Sequence, residues 1–183
     1  MTDARDRYLD TFPQWLRTLG DDAEGLLDAV QNAQAPEAAR RTLAGGLNYL
    51  FKSLDLVPDG IDDIGYLDDA FVLRVAADLA ARDGLTALAD SPRERIVRLA
   101  ADCKLLREFL GQDYARLETY VQGLRRGAAR GRSVEDILGA ASVLAEFVGD
   151  VRSFARSYEP LGFAREEKNL IKLKAFLDAK LPK

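Results

Sequence analysis

Six aspartates lie between Lys52 and Arg74 with no basic residue among them: Asp55, Asp59, Asp62, Asp63, Asp68 and Asp69. Hard divalent cations such as Mg²⁺ and Ca²⁺ prefer carboxylate oxygens and need no histidine ligand. Because the chain contains no histidine, carboxylate oxygen is the main chemistry that it offers to a metal ion. If this segment folds back across two helix ends, four of the six aspartates can converge on one Mg²⁺ or Ca²⁺ ion. The predicted ligands are Asp55, Asp59, Asp68 and Asp69, and no other cofactor is expected.

The same aspartates also have a purely structural interpretation. Asp62 or Asp63 can cap a helix that begins near Ile64, and Asp68 and Asp69 would then occupy its first turn, where negative charge suits the helix dipole. Asp55 can hold the following turn by accepting bonds from main-chain amides. Short-range capping of this kind is common for aspartate, so both interpretations remain open at this point.

The remaining residue types exclude several classes of site. Without histidine, the chain cannot form a Ser-His-Asp or Cys-His nucleophile or a histidine-ligated zinc site. Cys103 is the sole cysteine, which excludes an intramolecular disulfide and a Cys-x-x-Cys pair. Cys103 also lies on the apolar face of its helix, which predicts a buried, unreactive thiol.

Apolar residues recur with helical spacing along nearly the whole chain, and alternating strand patterns are absent. This pattern predicts an all-α protein, a helical bundle of about seven helices in one domain over residues 1–183. We expect the aspartates to be positioned by a helix-loop-helix core over 37–83, in which Gly45 and Gly46 indicate close packing of another helix. The predicted helices span about 4–19, 21–30, 37–53, 66–82, 91–126, 133–158 and, at the C-terminus, 163–180.

The two longest predicted helices carry apolar residues in alternating steps of three and four, the spacing of a coiled-coil seam. Joined by a glycine-bounded turn, the segments of about 91–126 and 133–158 are predicted to form a long antiparallel helical hairpin. Ser133 with Asp136 is expected to start the second arm as a capping pair, and Gly111 can interrupt the first. The helical hairpin, residues 91–158, is the expected surface for a partner protein or a second copy of the chain.

Residues 49–73 read YLFKSLDLVPDGIDDIGYLDDAFVL. This segment resembles the signature of the YkvA-like family, a bacterial family of unknown function, in which Asp-Leu-Ile-Pro-Asp and Gly-Tyr-x-Asp-Asp lie between two apolar helices. The sequence departs from that signature at Ser53 and near Asp62, where the family usually has proline. Since the family has no established activity, the resemblance implies an arrangement of helices and no reaction. The matching positions are Asp55, Leu56, Val57, Pro58, Asp59, Ile61, Gly65, Tyr66, Leu67, Asp68 and Asp69.

Charge is distributed unevenly along the chain. Residues 1–90 carry 17 acidic and 8 basic residues, and residues 91–183 carry 13 acidic and 18 basic residues. Two such halves can attract each other within the fold or between subunits. The longest stretch without a charged residue, Thr42–Phe51, is too short to span a membrane. We therefore expect a cytoplasmic protein that contacts membranes peripherally if at all.

Basic residues cluster near the tip of the predicted hairpin, which makes this region a candidate contact for an anion. Aromatic residues do not alternate with them, as stacking on nucleic-acid bases would require, so no nucleic-acid partner is expected. The clustered residues are Arg125, Arg126, Arg130 and Arg132.

Three functions are compatible with these patterns. The leading hypothesis is a helical interaction or scaffold protein without catalytic activity. The first alternative is a phosphohydrolase-like enzyme in which the aspartates hold a divalent metal that activates water. The second is a peripheral membrane adaptor that uses the basic C-terminal helix, 163–180.

Overall fold

Within residues 3–183, which the computed structural model describes, the chain forms eight α-helices and one minimal sheet. Met1 and Thr2, the first residues of the domain predicted over 1–183, lie outside the described residues. The all-α helical bundle predicted from the sequence is confirmed. The helices are α1 Ala4–Gln31, α2 Glu37–Tyr49, α3 Leu67–Asp83, α4 Asp90–Leu110, α5 Asp113–Gly123, α6 Val134–Gly139, α7 Ala141–Ser157 and α8 Glu167–Lys180. Strands β1 Ala128–Ala129 and β2 Arg132–Ser133 pair in antiparallel fashion after a 3₁₀ turn at Leu124–Arg126.

Helix α3 lies at the centre of the bundle, where α1, α2, α4 and α5 pack around it. Every residue from 67 to 77 is buried, as expected for a helix that is apolar on most sides. The glycine pair in α2 permits the close approach that the sequence predicted. A Cβ on Gly46 would lie 2.8 Å from the Cβ of Ala76, and one on Gly45 would lie 2.7 Å from the carbonyl oxygen of Leu124.

The N-terminal region differs from the prediction of two helices at 4–19 and 21–30. Helix α1 is continuous, with Pro13 inside it, because its buried stripe runs unbroken past the predicted boundary. At that boundary α7 crosses closely: a Cβ on Gly20 would lie 3.0 Å from the carbonyl oxygen of Ala155. Asp22 is 2% exposed and accepts a 2.6 Å hydrogen bond from Arg98 Nη2. Asp22 therefore faces a neighbouring helix.

The structure also differs from the predicted hairpin of 91–126 and 133–158. The first arm breaks at Gly111, the interruption that the sequence had indicated, where φ is +57°. The second arm breaks at Ala140, whose backbone is extended. Apart from its chain neighbour α6, α7 packs mainly on α1, so the two arms do not form one continuous seam. Apolar spacing identifies the buried face of a helix without identifying the helix that covers it. The capping pair of Ser133 and Asp136 is confirmed.

The two oppositely charged halves of the sequence pair with each other inside the fold. Three of the six pairs, those of Arg152 and Arg165, are exposed on both sides, where each stabilises the protein by about 1 kcal/mol or less. They show that much of the charge asymmetry is satisfied within the chain. Arginines of 91–183 pair with acidic residues of 1–90 at Arg98–Asp22, Arg107–Asp78, Arg125–Asp83, Arg152–Glu24 and Arg165–Asp6/Asp10.

The C-terminal helix begins at Glu167, later than the predicted start at 163. The preceding segment is held in a non-helical conformation by bonds to Ala164. The Ala164 carbonyl oxygen accepts a hydrogen bond from Asn169 Nδ2 at 2.8 Å. The Ala164 amide donates one to Asp63 Oδ1 at 3.2 Å. Across residues 3–183, none of the helices combines the length and the apolar content that crossing a membrane requires.

Candidate functional site

A set of three hydrogen bonds joins the end of α2, the loop 50–66 and the start of α3. The Tyr49 hydroxyl donates to Asp68 Oδ2 at 2.5 Å and accepts from the Leu56 amide at 2.7 Å. The Val57 amide donates to the same carboxylate oxygen at 3.0 Å. We call this group the Tyr49–Asp68 clasp. Because Leu56 and Val57 are themselves buried, the clasp satisfies main-chain amides that would otherwise be stranded in the core.

The second half of the loop returns to α3 through a tight backbone approach. The Ile61 amide donates to the Pro58 carbonyl, and the Gly65 amide donates to the Ile61 carbonyl. A Cβ on Gly65 would lie 2.3 Å from the carbonyl oxygen of Asp59, a distance that no side chain can occupy. Tyr66 follows in the left-handed region, with φ of +65°, and this residue precedes the first turn of α3. Glycine is therefore required at position 65 because a side chain would have no space there, and not because of the φ and ψ angles of Gly65.

The structure places the four predicted metal ligands in one region but at different depths. Asp68 and Asp69 are buried, with relative exposures of 0% and 2%, whereas Asp55 and Asp59 are half-buried. Three carboxylate oxygens have no hydrogen-bond partner among the described residues: Asp59 Oδ1, Asp68 Oδ1 and Asp69 Oδ2. Buried polar atoms without partners are rare in folded proteins. Within residues 3–183 the other such atoms belong to amide, hydroxyl and guanidinium groups, so every buried carboxylate oxygen without a partner lies in this segment.

Burial and mutual repulsion raise the pKa values of these carboxyl groups. Burial raises the pKa of Asp69 well above its usual value, and the charges of Asp68, Asp59 and Asp55 raise it further. Burial also raises the pKa of Asp68, against the opposing effect of the bonds from Tyr49 and Val57. Burial, followed by the charges of Asp59 and Asp68, raises the pKa of Asp55 to about 7. Protons therefore neutralise part of this cluster near neutral pH.

No group of three or more aspartate, glutamate or cysteine side chains within residues 3–183 is arranged to hold a metal ion. The carboxyl groups influence one another through their charges, yet they do not form a compact set of ligands. The Mg²⁺ or Ca²⁺ site at Asp55, Asp59, Asp68 and Asp69 stays a prediction from the sequence.

The structural interpretation of the aspartates is correct in part. Asp68 and Asp69 occupy the first turn of α3, as expected. The predicted cap at Asp62 or Asp63 is wrong, because the helix is preceded by Tyr66 and has no side-chain cap. Asp63 instead accepts a bond from the distant Ala164 amide. Asp55 contributes its main-chain carbonyl, which accepts from Lys180 Nζ at 3.3 Å.

Sequence reasoning gave no role to Tyr49, although its hydroxyl organises the loop. Its place at the head of the family-like segment was the available signal, but nothing in its spacing indicated a bond to Asp68, 19 residues away. It also missed the full burial of Arg74, whose guanidinium pairs with Asp22 at 3.3 Å and Asp102 at 2.9 Å. A lone arginine in an apolar helix indicates a buried partner, but the partners come from α1 and α4.

Cys103 is buried, with a relative exposure of 0%. Burial, its largest effect, raises the pKa of the thiol to about 12. A thiol in this environment is a poor nucleophile, because the thiolate is the reactive form. The structure thus agrees with the expectation of an unreactive cysteine.

Comparison with known proteins adds one assignment. No curated protein and no solved structure matches the chain. A family model matches residues 39–74, the stretch that contains most of α2, the loop and the first half of α3. This match confirms the resemblance found in the YkvA-like signature. Over residues 39–74 the chain therefore matches the family described as protein of unknown function (DUF1232).

Proposed function

We propose that this protein is a non-catalytic interaction module and that the loop of its DUF1232 segment presents the contact surface. The observation that carries the proposal is the exposure of Leu54, whose side chain is 80% exposed. Two residues further on, Leu56 and Val57 are buried and held by the Tyr49–Asp68 clasp. A large apolar side chain thus projects from a loop whose backbone is firmly fixed.

A single exposed leucine is common on protein surfaces and needs no explanation by itself. Leu54 is distinguished by its surroundings, because it lines an open cavity of about 480 Å³ together with Phe51, Ala128 and Ala129. The two alanines belong to the turn that joins the arms of the predicted hairpin. Instead of the whole helical hairpin, we propose that the partner contacts only the tip of the hairpin and the neighbouring loop.

The chemistry of the acidic cluster supports a structural role for it. Asp68 is engaged by a tyrosine hydroxyl and a main-chain amide, and the pKa of Asp69 is raised by burial. Both carboxyl groups therefore affect the stability of the loop. A metal ion that activates water would instead need ionised carboxylates that converge on it. This reasoning favours the interaction function over the phosphohydrolase-like alternative.

The proposal can be tested by site-specific crosslinking in cells. A photo-crosslinking amino acid would replace Leu54 in one variant and Val97, 51% exposed on α4, in a matched control. We expect an adduct with one protein at position 54 that does not form at position 97. Purified, that protein should bind the wild-type chain and lose binding to Leu54→Glu. An adduct formed by the purified protein alone would identify the partner as a second copy.

Three outcomes would contradict the proposal. These are the absence of an adduct at position 54, the same adducts at both positions, and unchanged binding of the purified partner to Leu54→Glu. Flotation of the wild-type protein with anionic vesicles, in place of a protein adduct, would favour the membrane alternative through the basic C-terminal helix.

A further inference from the structure

The cavity beside Leu54 has an unusual combination of lining residues. Its volume is about 480 Å³, and its lining residues are Phe51, Lys52, Ser53, Leu54, Ala128, Ala129 and Arg130. We call it the Leu54 groove. Among the described residues, its lining contains two cationic side chains and no acidic one. The cavities of about 510 Å³ and about 610 Å³ are lined by charges of both signs, and the second of them adjoins the Leu54 groove at Arg130.

The backbone fixes the position of Arg130 at one side of the groove. The β1–β2 ladder pairs Ala129 with Arg132, so Arg130 and Gly131 form the two-residue turn, with φ values of +51° and +74°. The Arg130 guanidinium carbon lies 4.7 Å from the centre of the Phe51 ring, a cation–π contact. The charge is therefore held over the apolar floor of the groove.

Arg130 retains capacity to bind an anion. Its side chain is 58% exposed, and its ion-pair partner, Asp150, lies 3.5 Å away. That carboxylate is held more closely by Arg132, at 2.7 Å, and so neutralises Arg130 only in part. On the other side of the groove, Lys52 Nζ bonds to the Tyr120 hydroxyl at 3.3 Å. Within residues 3–183, no carboxylate lies within ion-pair distance of Lys52 Nζ.

We propose that the Leu54 groove binds an acidic segment of a partner protein that also carries a large apolar side chain. The apolar side chain would contact Phe51 and Leu54, where burial contributes roughly 25 cal/mol per Å². A neighbouring carboxylate would pair with Arg130, whose planar guanidinium suits bidentate bonding to a carboxylate. This inference rests on the proposed function, to which it adds the chemistry of the partner.

The test uses a defined probe and nuclear magnetic resonance of the ¹⁵N-labelled full chain. The probe is a six-residue peptide that alternates glutamate and leucine, and the control peptide has glutamine in place of glutamate. We expect saturable amide shifts at 51–54 and 128–131 with the glutamate peptide. The shifts should weaken on raising salt, because screening reduces attraction between exposed charges.

Two charge-reversal variants test whether the glutamate peptide binds in the Leu54 groove. We expect Arg130→Glu to weaken binding of the glutamate peptide at least about ten-fold, since charge reversal opposes a complementary contact. Arg152→Glu is the matched control, because Arg152 is 45% exposed and lies on α7 beside a different cavity. It should leave the affinity within about two-fold of the wild type, since charge contacts outside the interface are largely screened.

The outcomes separate this inference from the proposed function. Absence of shifts at millimolar peptide, equal shifts with the glutamine peptide, or an equal effect of both arginine variants would overturn the acidic-partner inference. Crosslinking at position 54 would still stand in those cases and would point to a partner held by apolar contacts. Failure of the crosslinking, with peptide shifts present, would show a groove that binds acidic peptides but has no cellular partner.

Discussion

Asp69 offers the sharpest test of how the acidic cluster affects stability. Its carboxyl group is 2% exposed, and one of its oxygens has no partner among residues 3–183. Burial and the charges of neighbouring aspartates raise its pKa. We therefore expect Asp69→Asn, which keeps the shape and removes the titration, to gain stability relative to the wild type as pH rises.

The sign and size of the effect follow from proton linkage. A carboxyl group whose pKa is higher in the folded than in the unfolded state binds more protons when folded. Its contribution is therefore favourable below the unfolded pKa and is lost as pH rises. The loss is at most about 1.4 kcal/mol per pH unit for one group. An asparagine amide without partners costs about 1–3 kcal/mol whatever the pH, so we expect the stability of Asp69→Asn relative to the wild type to increase as pH rises.

The assay is urea denaturation followed by circular dichroism, at several pH values between 5 and 8 and constant salt. The slope of unfolding free energy against pH should be less negative in Asp69→Asn than in the wild type, by up to about 1.4 kcal/mol per unit. The control is Asp62→Asn, an exposed carboxylate of the same loop, which should leave the slope unchanged.

One result would refute this reasoning. If Asp69→Asn lost stability relative to the wild type between pH 5 and pH 8, the ionised carboxylate would be stabilised by a positive charge in the folded protein. A divalent cation that raises the melting temperature of the wild type but not of the variant would identify that charge as a metal ion.

Three further predictions concern the same segment. Gly65→Ala should destabilise the protein by at least about 2 kcal/mol, since its Cβ would overlap the Asp59 carbonyl. The control is Gly60→Ala, whose Cβ would meet no described atom within 4 Å. It should change the free energy of unfolding by about 0.5 kcal/mol or less. Tyr49→Phe should cost about 1–3 kcal/mol by leaving Asp68 and the Leu56 amide without the hydroxyl. Tyr114→Phe is the control and should be nearly neutral, because the Tyr114 hydroxyl is paired only with the Cys103 thiol, a weak hydrogen-bonding group. If the predicted metal site exists, millimolar Mg²⁺ or Ca²⁺ should raise the melting temperature of the wild type by mass action. Asp59→Asn should abolish that rise. An unchanged melting temperature in the wild type would remove the metal hypothesis.

Features that depend on local chemistry were predictable from the sequence. The glycine pair in α2 indicated a close helix contact, and the structure places Ala76 and Leu124 there. The capping residues at Ser133 marked the start of α6. The family signature identified the acidic loop from the order of its residues alone. Each of these signals arises from neighbouring residues, so no knowledge of distant parts of the chain was needed.

Features that depend on distant partners were not predictable. The regular apolar spacing on either side of residues 127–131 indicated a hairpin whose arms pack on each other, but Ala140 redirects the chain and α7 packs on α1. Asp22 is buried against arginines from other helices, which no local pattern indicates. A hydrophobic pattern states which face is buried and leaves the covering element undetermined.

The sequence by itself determined that the chain is helical, that its acidic residues concentrate in one loop, and that histidine chemistry is absent. Only the tertiary structure decided that Asp68 and Asp69 are buried and that Leu54, on the same loop, is exposed. The reason is that the path of the loop is set by the Tyr49–Asp68 clasp and by the contact of Gly65 with Asp59. The Tyr49–Asp68 bond joins residues 19 positions apart at the two ends of the segment, and the fold alone brings them together.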